Sequence, residues 1–242
     1  MNHLTRKAVE SIIKHIDTSN MALIIVDQEV GDEVENWEAN YKRYFKIVDG
    51  IWNEENVGVP IGYNQGIQVA LTLKPKYIII MNNDIEVLPN WYTELKRCAE
   101  KDPKIGIVGG KSLPYGDNPN RPSYHGGIIV FTDGRIIGKP IEVPLGAPDL
   151  NIDVENFCVG FACALVKTQL FRELGLFDEN YSPCDYEDTD FCFRARDAGW
   201  KVISCIPCKY FHLEGATIKA KKFKIPWDKN RKYFVSKWRH ML

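Results

Sequence analysis

Two groups of polar side chains have types and spacings that suit chemistry. Asn82, Asn83 and Asp84 follow directly on the apolar run Tyr77–Met81. A carboxylate with an amide oxygen and water suits a hard cation, Mg²⁺ or Mn²⁺, bridging a diphosphate; the same triplet also makes an ordinary polar turn after a strand. Asp185, Glu187, Asp188 and Asp190 place four carboxylates in six residues where a helix is expected to start. Capping, the helix dipole and an i,i+4 pair of Asp190 with Arg194 account for one or two of them. Crowded like charges raise carboxyl pKa values, so the surplus is a candidate general base or metal site.

Three weaker signals accompany these. Asn56, Gly58, Gly62, Asn64 and Gly66 open a helix. They could bring backbone N–H groups to a phosphate or ribose, or only allow close packing of the helix on a sheet. The spacing is neither a dinucleotide fingerprint nor a P-loop, and no dinucleotide fingerprint follows any strand, which argues against a nicotinamide oxidoreductase. His212 ends a strand-like run and could be a ligand or a structural histidine. Cys205 and Cys208 form a single Cys-x-x-Cys holding Pro207 and lacking a partner pair, so they read as buried thiols.

The elements that must position these residues follow from periodicity. A helix is expected at about 5–16, opened by Thr5, then a buried strand from Met21 to Val26 ending at Asp27, and a second strand at 45–48. The glycine-rich helix over 56–72 leads into Tyr77–Met81, whose isoleucines end in polar groups as a buried parallel strand does. Ligands of open α/β sheets bind at that edge. An alternating run at 85–88, a helix at 90–100 and a strand at 105–109 come next. Pro- and Gly-rich loops then enclose a hairpin turning at Asp133-Gly134. A buried strand at 157–166, helices at 168–174 and 187–198, and late strands at 201–205 and 209–212 complete the pattern. The βαβ alternation implies a mainly parallel sheet covered by helices.

With 242 residues, 45% of them hydrophobic, the chain can bury one large α/β core. No apolar run reaches the roughly 18 residues of a membrane span, and the N-terminus lacks a signal-peptide core, so a cytoplasmic location is expected. Seven cysteines without a framework spacing read as reduced thiols. The net charge of −1 conceals a basic end: residues 219–242 hold nine Lys or Arg against one acid, Asp228. That tail interleaves its cations with Phe223, Trp227, Tyr233, Phe234 and Trp238, which suits either a helix packed on the domain or a patch on an anionic membrane.

In combination the motifs resemble the family 2 inverting glycosyltransferases of the GT-A fold, in particular their rhamnosyltransferase-like branch. The residues that carry the resemblance are NVGVPIGYNQGI (56–67), IIIMNNDIEVLPNW (78–91), the Phe177-Asp178-Glu179 and Glu187-Asp188 pairings with Asp190, Arg194 and Gly199, and the strand ending in His212 with Gly215 and Thr217 behind it. The resemblance covers about Thr5 to Thr217. It implies a single GT-A domain: about 1–110 for the nucleotide sugar, about 111–217 for the acceptor and the catalytic base, and 218–242 as the tail. Asn82-Asn83-Asp84 then falls on the family's DxD motif, with an Asn at its first position, so that Asp84 binds a divalent metal (Mn²⁺ or Mg²⁺) and Asn82 the ribose or the metal's water shell. Asp188 matches the catalytic base with Glu187 beside it, His212 a further metal or diphosphate contact, and Asp27 a nucleobase-contacting acid. Asn56, Gly58, Gly62, Asn64 and Asn83 join the donor-binding set.

The implied reaction moves a sugar from a UDP, dTDP or GDP donor to a saccharide or lipid-linked acceptor hydroxyl. The implied location is the cytoplasm or the inner face of the membrane, with no nucleic acid as partner. Members of the family usually open with a strand ending in a Pro-Thr-Tyr-Asn type turn, and this chain starts at MNHLT, so its sheet is expected to lack that strand. The other reading is a non-catalytic nucleotide-sugar or glycan-binding remnant of the same fold.

Overall fold

A continuous apolar strand can be buried on both faces only if helices cover both faces of its sheet. This is the architecture of the computed structural model, which describes residues 2–28, 36–115, 123–132, 135–143, 152–213 and 225–241. Helix α1 (Asn2–His15) leads to β1 (Ala22–Gln28), the short α2 (Trp37–Tyr41), β2 (Ile47–Asn53), α3 (Val59–Thr72), β3 (Tyr77–Met81), β4 (Ile85–Val87) and α4 (Trp91–Glu100). There follow β5 (Ile105–Pro114), β6 (Ser123–Thr132), β7 (Arg135–Val143), β8 (Asp153–Glu155), β9 (Cys163–Lys167), α5 (Thr168–Leu174), a 3₁₀ turn (Glu179–Tyr181), α6 (Glu187–Asp197), β10 (Lys201–His212) and α7 (Trp227–Trp238).

The expected α/β sheet with flanking helices is present, and its pairing is mixed. β1 and β2 pair in parallel as a two-stranded sheet, and β5 and β10 pair in parallel within the larger one, whose path is β3-β9-β5-β10-β4. β9 is antiparallel to both β3 and β5, so those two neighbours run the same way. β4 and β8 pair antiparallel with β10, and the β6–β7 hairpin attaches to β5. The tip of that hairpin, Asp133-Gly134, lies outside the described residues, as do residues 214–224, which include Gly215, Thr217 and the start of the basic stretch.

The side-chain period of two divides each central strand between two cores. Ile78 and Ile80 of β3 and Ala164 and Val166 of β9 face α3, α5 and α6, whereas Ile79 of β3 and Cys163 and Leu165 of β9 face α1 and α4. Three details depart from the periodicity. The second strand starts at Ile47, because Phe45 N donates to Tyr41 O in the turn after α2 and the Phe45 ring is buried there. The expected strand over 157–166 is ordered as a strand only from Cys163. The two late strands are one, β10, continuous through a bulge between Cys205 and Lys209.

Cys205 and Cys208 are buried free thiols, as the sequence implied. Cys98, Cys205 and Asp153 lie within 4.8 Å of one another, but Arg97 and Lys101 already pair with the Asp153 carboxylate. Among the described residues no helix is long and apolar enough to cross a membrane. The basic end forms α7, whose Phe234 and Trp238 are buried against Tyr181, Tyr186 and Phe193, while Trp227 stays 57% exposed.

Candidate active site

The polar ends of β3 and β10 meet because of one register. β4 lies antiparallel on β10 with Ile85 opposite His212, and Leu213 N donates to Asp84 O at 3.0 Å. That pairing sets the Asp84 carboxylate beside the imidazole, with 3.2 Å between Oδ1 and Nε2. Both side chains are largely buried, 9% and 14% exposed. Asn82 completes the group: its Nδ2 lies 3.4 Å from His212 Nε2, and its Oδ1 accepts from the Tyr63 hydroxyl at 2.8 Å. One carboxylate oxygen and one imidazole nitrogen converging at a strand end fit a hard divalent cation.

Tyr63, which sequence reasoning passed over, connects this group to the acid cluster. Burial pushes its phenol pKa well up, and the charges of Glu187, Asp188 and Asp84 push it further. The carboxylates from β3's end and from α6's first turn therefore act on one point. The signal available in the sequence was a lone tyrosine in the glycine-rich helix, three residues before Gly66.

The four clustered acids divide by the face of α6 they occupy. Asp190, fully buried, accepts from Tyr181 Oη (3.1 Å), Trp238 Nε1 (2.8 Å) and Arg194 Nε (3.0 Å) and pairs with Lys237 (2.9 Å). It is a structural hub. The other three lack cationic partners among the described residues. Burial, then the neighbouring charge of Asp188, pushes the Asp185 carboxyl up to about 7. Burial also raises Glu187 and Asp188, Glu187 further through the charge of Asp188. Asp185 Oδ2 and Glu187 Oε2 are buried without a hydrogen bond among the described residues, whereas Asp188 Oδ1 accepts from Thr189 N at 2.6 Å.

The glycine-rich segment does several separate jobs. Asn56 Oδ1 accepts from Gly58 N at 2.9 Å, holding Gly58 at φ +92° where α3 begins. A Cβ on Gly58 would come within 3.0 Å of Pro183 backbone, so only glycine lets α3 approach the acid loop this closely. A Cβ on Gly62 would lie 2.4 Å from Gln28 Nε2, and one on Gly66 3.0 Å from Val26, the close helix–sheet packing that was one of the two readings. Asn64 is buried and engaged within the protein: its amide bonds Phe177 N, Phe177 O and Glu179 Oε1. Asn83 turns to α1, its Nδ2 donating to Thr5 Oγ1 at 3.3 Å, so Thr5 is inside a helix that starts earlier than expected.

Asp27, next to last in β1, lies beside an amide cluster the sequence did not single out. Gln28 Oε1 accepts from Val57 N (3.1 Å), and Asn53 and Gln65 exchange two 2.9 Å hydrogen bonds. The structure thus gathers Asn82, Asp84, His212, Glu187 and Asp188 about Tyr63, places Asp27 near the end of β1, and leaves Asn64 and Gly62 in packing roles.

Comparison with known proteins identifies the family. The family model described as Glycosyl transferase family 2 matches residues 2–175. The O-antigen biosynthesis protein RfbC of Myxococcus xanthus is 29% identical over 151 residues, covering 59% of this chain and 11% of that protein. The low-salt glycan biosynthesis hexosyltransferase Agl10 of Haloferax volcanii is 21% identical over 213 residues, covering 85% and 62%. This chain therefore spans a minor part of the first relative and about three-fifths of the second. A crystal structure of GalNAc-T7 with UDP, GalNAc and Mn²⁺ superposes with a TM-score of 0.62 at 19% identity, covering 86% of this chain and 41% of that one, which shows the shared GT-A fold. Matched by that family model over residues 2–175, the chain belongs to glycosyl transferase family 2.

Proposed function

We propose that the protein is an inverting, metal-assisted glycosyltransferase of the hexosyl or rhamnosyl type. It would move a sugar from a nucleoside-diphosphate donor (UDP, dTDP or GDP) to a hydroxyl of a saccharide or lipid-linked acceptor. The observation that carries this reading is the meeting of Asp84 and His212 with the raised carboxyls of Glu187 and Asp188 around Tyr63. Carboxyls raised by burial and by one another, clustered opposite a cation-binding geometry, favour catalysis over simple binding.

In this reading Asp188 takes the proton of the acceptor hydroxyl, and the oxygen attacks the anomeric carbon from the face opposite the diphosphate. The new C–O bond forms as the bond to the diphosphate oxygen breaks, so the configuration inverts and the nucleoside diphosphate leaves. Asp84 and His212 would hold the divalent cation, Mn²⁺ or Mg²⁺, which supplies countercharge to the departing diphosphate. Asn82 donates toward that leaving group or the ribose, and Asp27 with the Gln28–Asn53–Gln65 amides faces the nucleobase. The complex of GalNAc-T7 with UDP and Mn²⁺ supports this kind of donor and metal. A peripheral contact with anionic lipid would rest on exposed Trp227, Lys229 and Lys232 of α7, because Phe234 and Trp238 are spent on the core.

Calorimetry with UDP, dTDP and GDP sugars, with and without Mn²⁺, followed by transfer assays with Asp188→Asn, tests the reading. Metal-dependent binding of one donor and loss of transfer with binding intact are expected. Binding without turnover in the unaltered protein would assign the chain to the non-catalytic class. Sedimentation with anionic vesicles decides the lipid contact, which binding unaffected by salt or absent altogether would refute.

A further inference from the structure

The carboxyl-terminal helix meets the acid-bearing loop through one buried amide. Asn230 of α7 has no exposed surface, and its Nδ2 donates to the carbonyls of Tyr181 (2.8 Å), Cys184 (2.9 Å) and Asp185 (3.1 Å). These carbonyls bracket the turn that feeds α6, in which Asp185 and Tyr186 take φ of +83° and +74°. Two successive left-handed residues other than glycine cost free energy and persist only where the surroundings over-determine them. Asn230 holds the turn from one side. From the other, Val59 N donates to Pro183 O at 2.7 Å beside the close approach of Gly58.

The placement of α7 is fixed independently. Lys237 and Trp238 bind Asp190, Lys237 also pairs with Asp178 at 2.8 Å, and the Phe234 ring packs 5.0 Å from Phe193 and 5.2 Å from Tyr186. The acids presented by the turn are held less firmly: Asp185 Oδ2 and Glu187 Oε2 make no hydrogen bond among the described residues, and Asp188 accepts from the backbone of its neighbour Thr189 and of Phe161. The direction of Asp185 and Glu187 therefore follows the backbone of the turn, which Asn230 holds from the side of α7.

We propose that Asn230 is a positioning residue: by gathering three carbonyls of the Tyr181–Asp185 segment onto one amide, it fixes how α6 presents Glu187 and Asp188 and makes the carboxyl-terminal helix part of the transfer machinery. This rests on the reading of that acid pair as serving the acceptor. A small displacement of a general base from its reacting partner is expensive in rate, whereas a nucleotide held at the ends of β1, β3 and β10 does not sense it.

The test compares Asn230→Ala and Asn230→Ser with Asp188→Asn in the full chain, reading nucleotide affinity in Mn²⁺, kcat, acceptor KM, the pH–rate profile and the melting temperature. Asn230→Ala should lower kcat roughly ten- to a hundredfold with donor affinity within about twofold, and displace the acid limb of the profile. Asn230→Ser, which keeps one donor, should recover part of both. A folded Asn230→Ala protein with unchanged kcat and profile overturns the proposal. So does parallel loss of donor affinity and rate, or failure of both variants to fold, since each makes Asn230 a residue of general stability. If Asp188→Asn retains transfer, the reading of the acid pair fails; if it is inactive while Asn230→Ala is fully active, only the positioning role fails.

Discussion

The Tyr63 hydroxyl donates to Asn82 Oδ1 at 2.8 Å, and so the amide nitrogen of Asn82 is the end that faces His212. Asn82 thus offers the site a donor, and in the function proposed above the pair that would hold the cation is Asp84 with His212. Tyr63→Phe keeps the ring contact with Phe177, whose centroid is 5.4 Å away, and frees the amide. Its expected effect is a loss of about 1 kcal/mol, roughly fivefold, in metal-dependent nucleotide binding by calorimetry with little change in melting temperature. An unchanged affinity would remove Tyr63 from the donor site.

Asn82→Asp tests the same geometry from the opposite direction. It replaces the donor by a second carboxylate beside Asp84, and two carboxylates attract a divalent cation more strongly than one. Mn²⁺ titration of the nucleotide-free protein should show tighter binding, by several-fold. Weaker binding would mean that the amide at position 82 is itself part of the cation site.

Burial holds the Asp188 carboxyl above the ordinary carboxylate range. A base works only when ionised, so kcat/KM should climb with pH along a limb displaced upward from about pH 4. The charge of Asp188 raises Glu187 further, so Glu187 is still neutral as Asp188 ionises, and Glu187→Gln should leave that limb in place. A pH–rate profile of parent and variant at constant saturating Mn²⁺ measures it. A limb that moves to lower pH in the variant would mean that Glu187 ionises first.

What could be read from the sequence, and what could not, follows from the range of the interactions. Residues 187–197 and 168–174 could be placed as helices almost to the residue, and β3 as a strand, because their signals lie within a dozen neighbours. The meeting of Asp84 with His212 came from family resemblance alone, since 128 positions of chain separate them and only the β4–β10 register joins them. The separate fates of Asp188 and Asp190 were invisible: two residues apart on a helix means opposite faces, but which face met α7 depended on a partner 48 residues on. Asn64 looked like a ligand because its neighbours are glycines; its bonds to Phe177 and Glu179 are long-range.

The hub at Asp190 gives a stability prediction. Its carboxylate neutralises Arg194 and Lys237 and accepts from Trp238 and Tyr181 with no exposure to water. Removing one partner of a buried pair leaves the others uncompensated, at a cost of about 3–5 kcal/mol. Asp190→Ala should therefore lower the midpoint of chemical denaturation by a corresponding amount. Adding Arg194→Met, which removes the cation left without a carboxylate partner among the described residues, should restore part of it, whereas Lys237 keeps its pair with Asp178; a double variant no better than the single would show that the Arg194 pairing contributes little.

Asp185 should act in the opposite direction, and only at higher pH. Burial and Asp188 raise its carboxyl from the ordinary value near 4 to about 7. Between those values the unfolded chain has lost a proton that the folded chain retains, so stability falls as pH rises through that window and stays low above it. Asp185→Asn cancels the dependence and keeps a side chain that tolerates the φ of +83° at this position. In metal-free buffer the variant and the parent should unfold alike at pH 4, and at pH 8 the variant should be the more stable by up to about 4 kcal/mol. A variant destabilised equally at both pH values would show instead that the carboxylate is already paired in the folded protein, and would remove the electrostatic tension on which the base assignment of its neighbours depends.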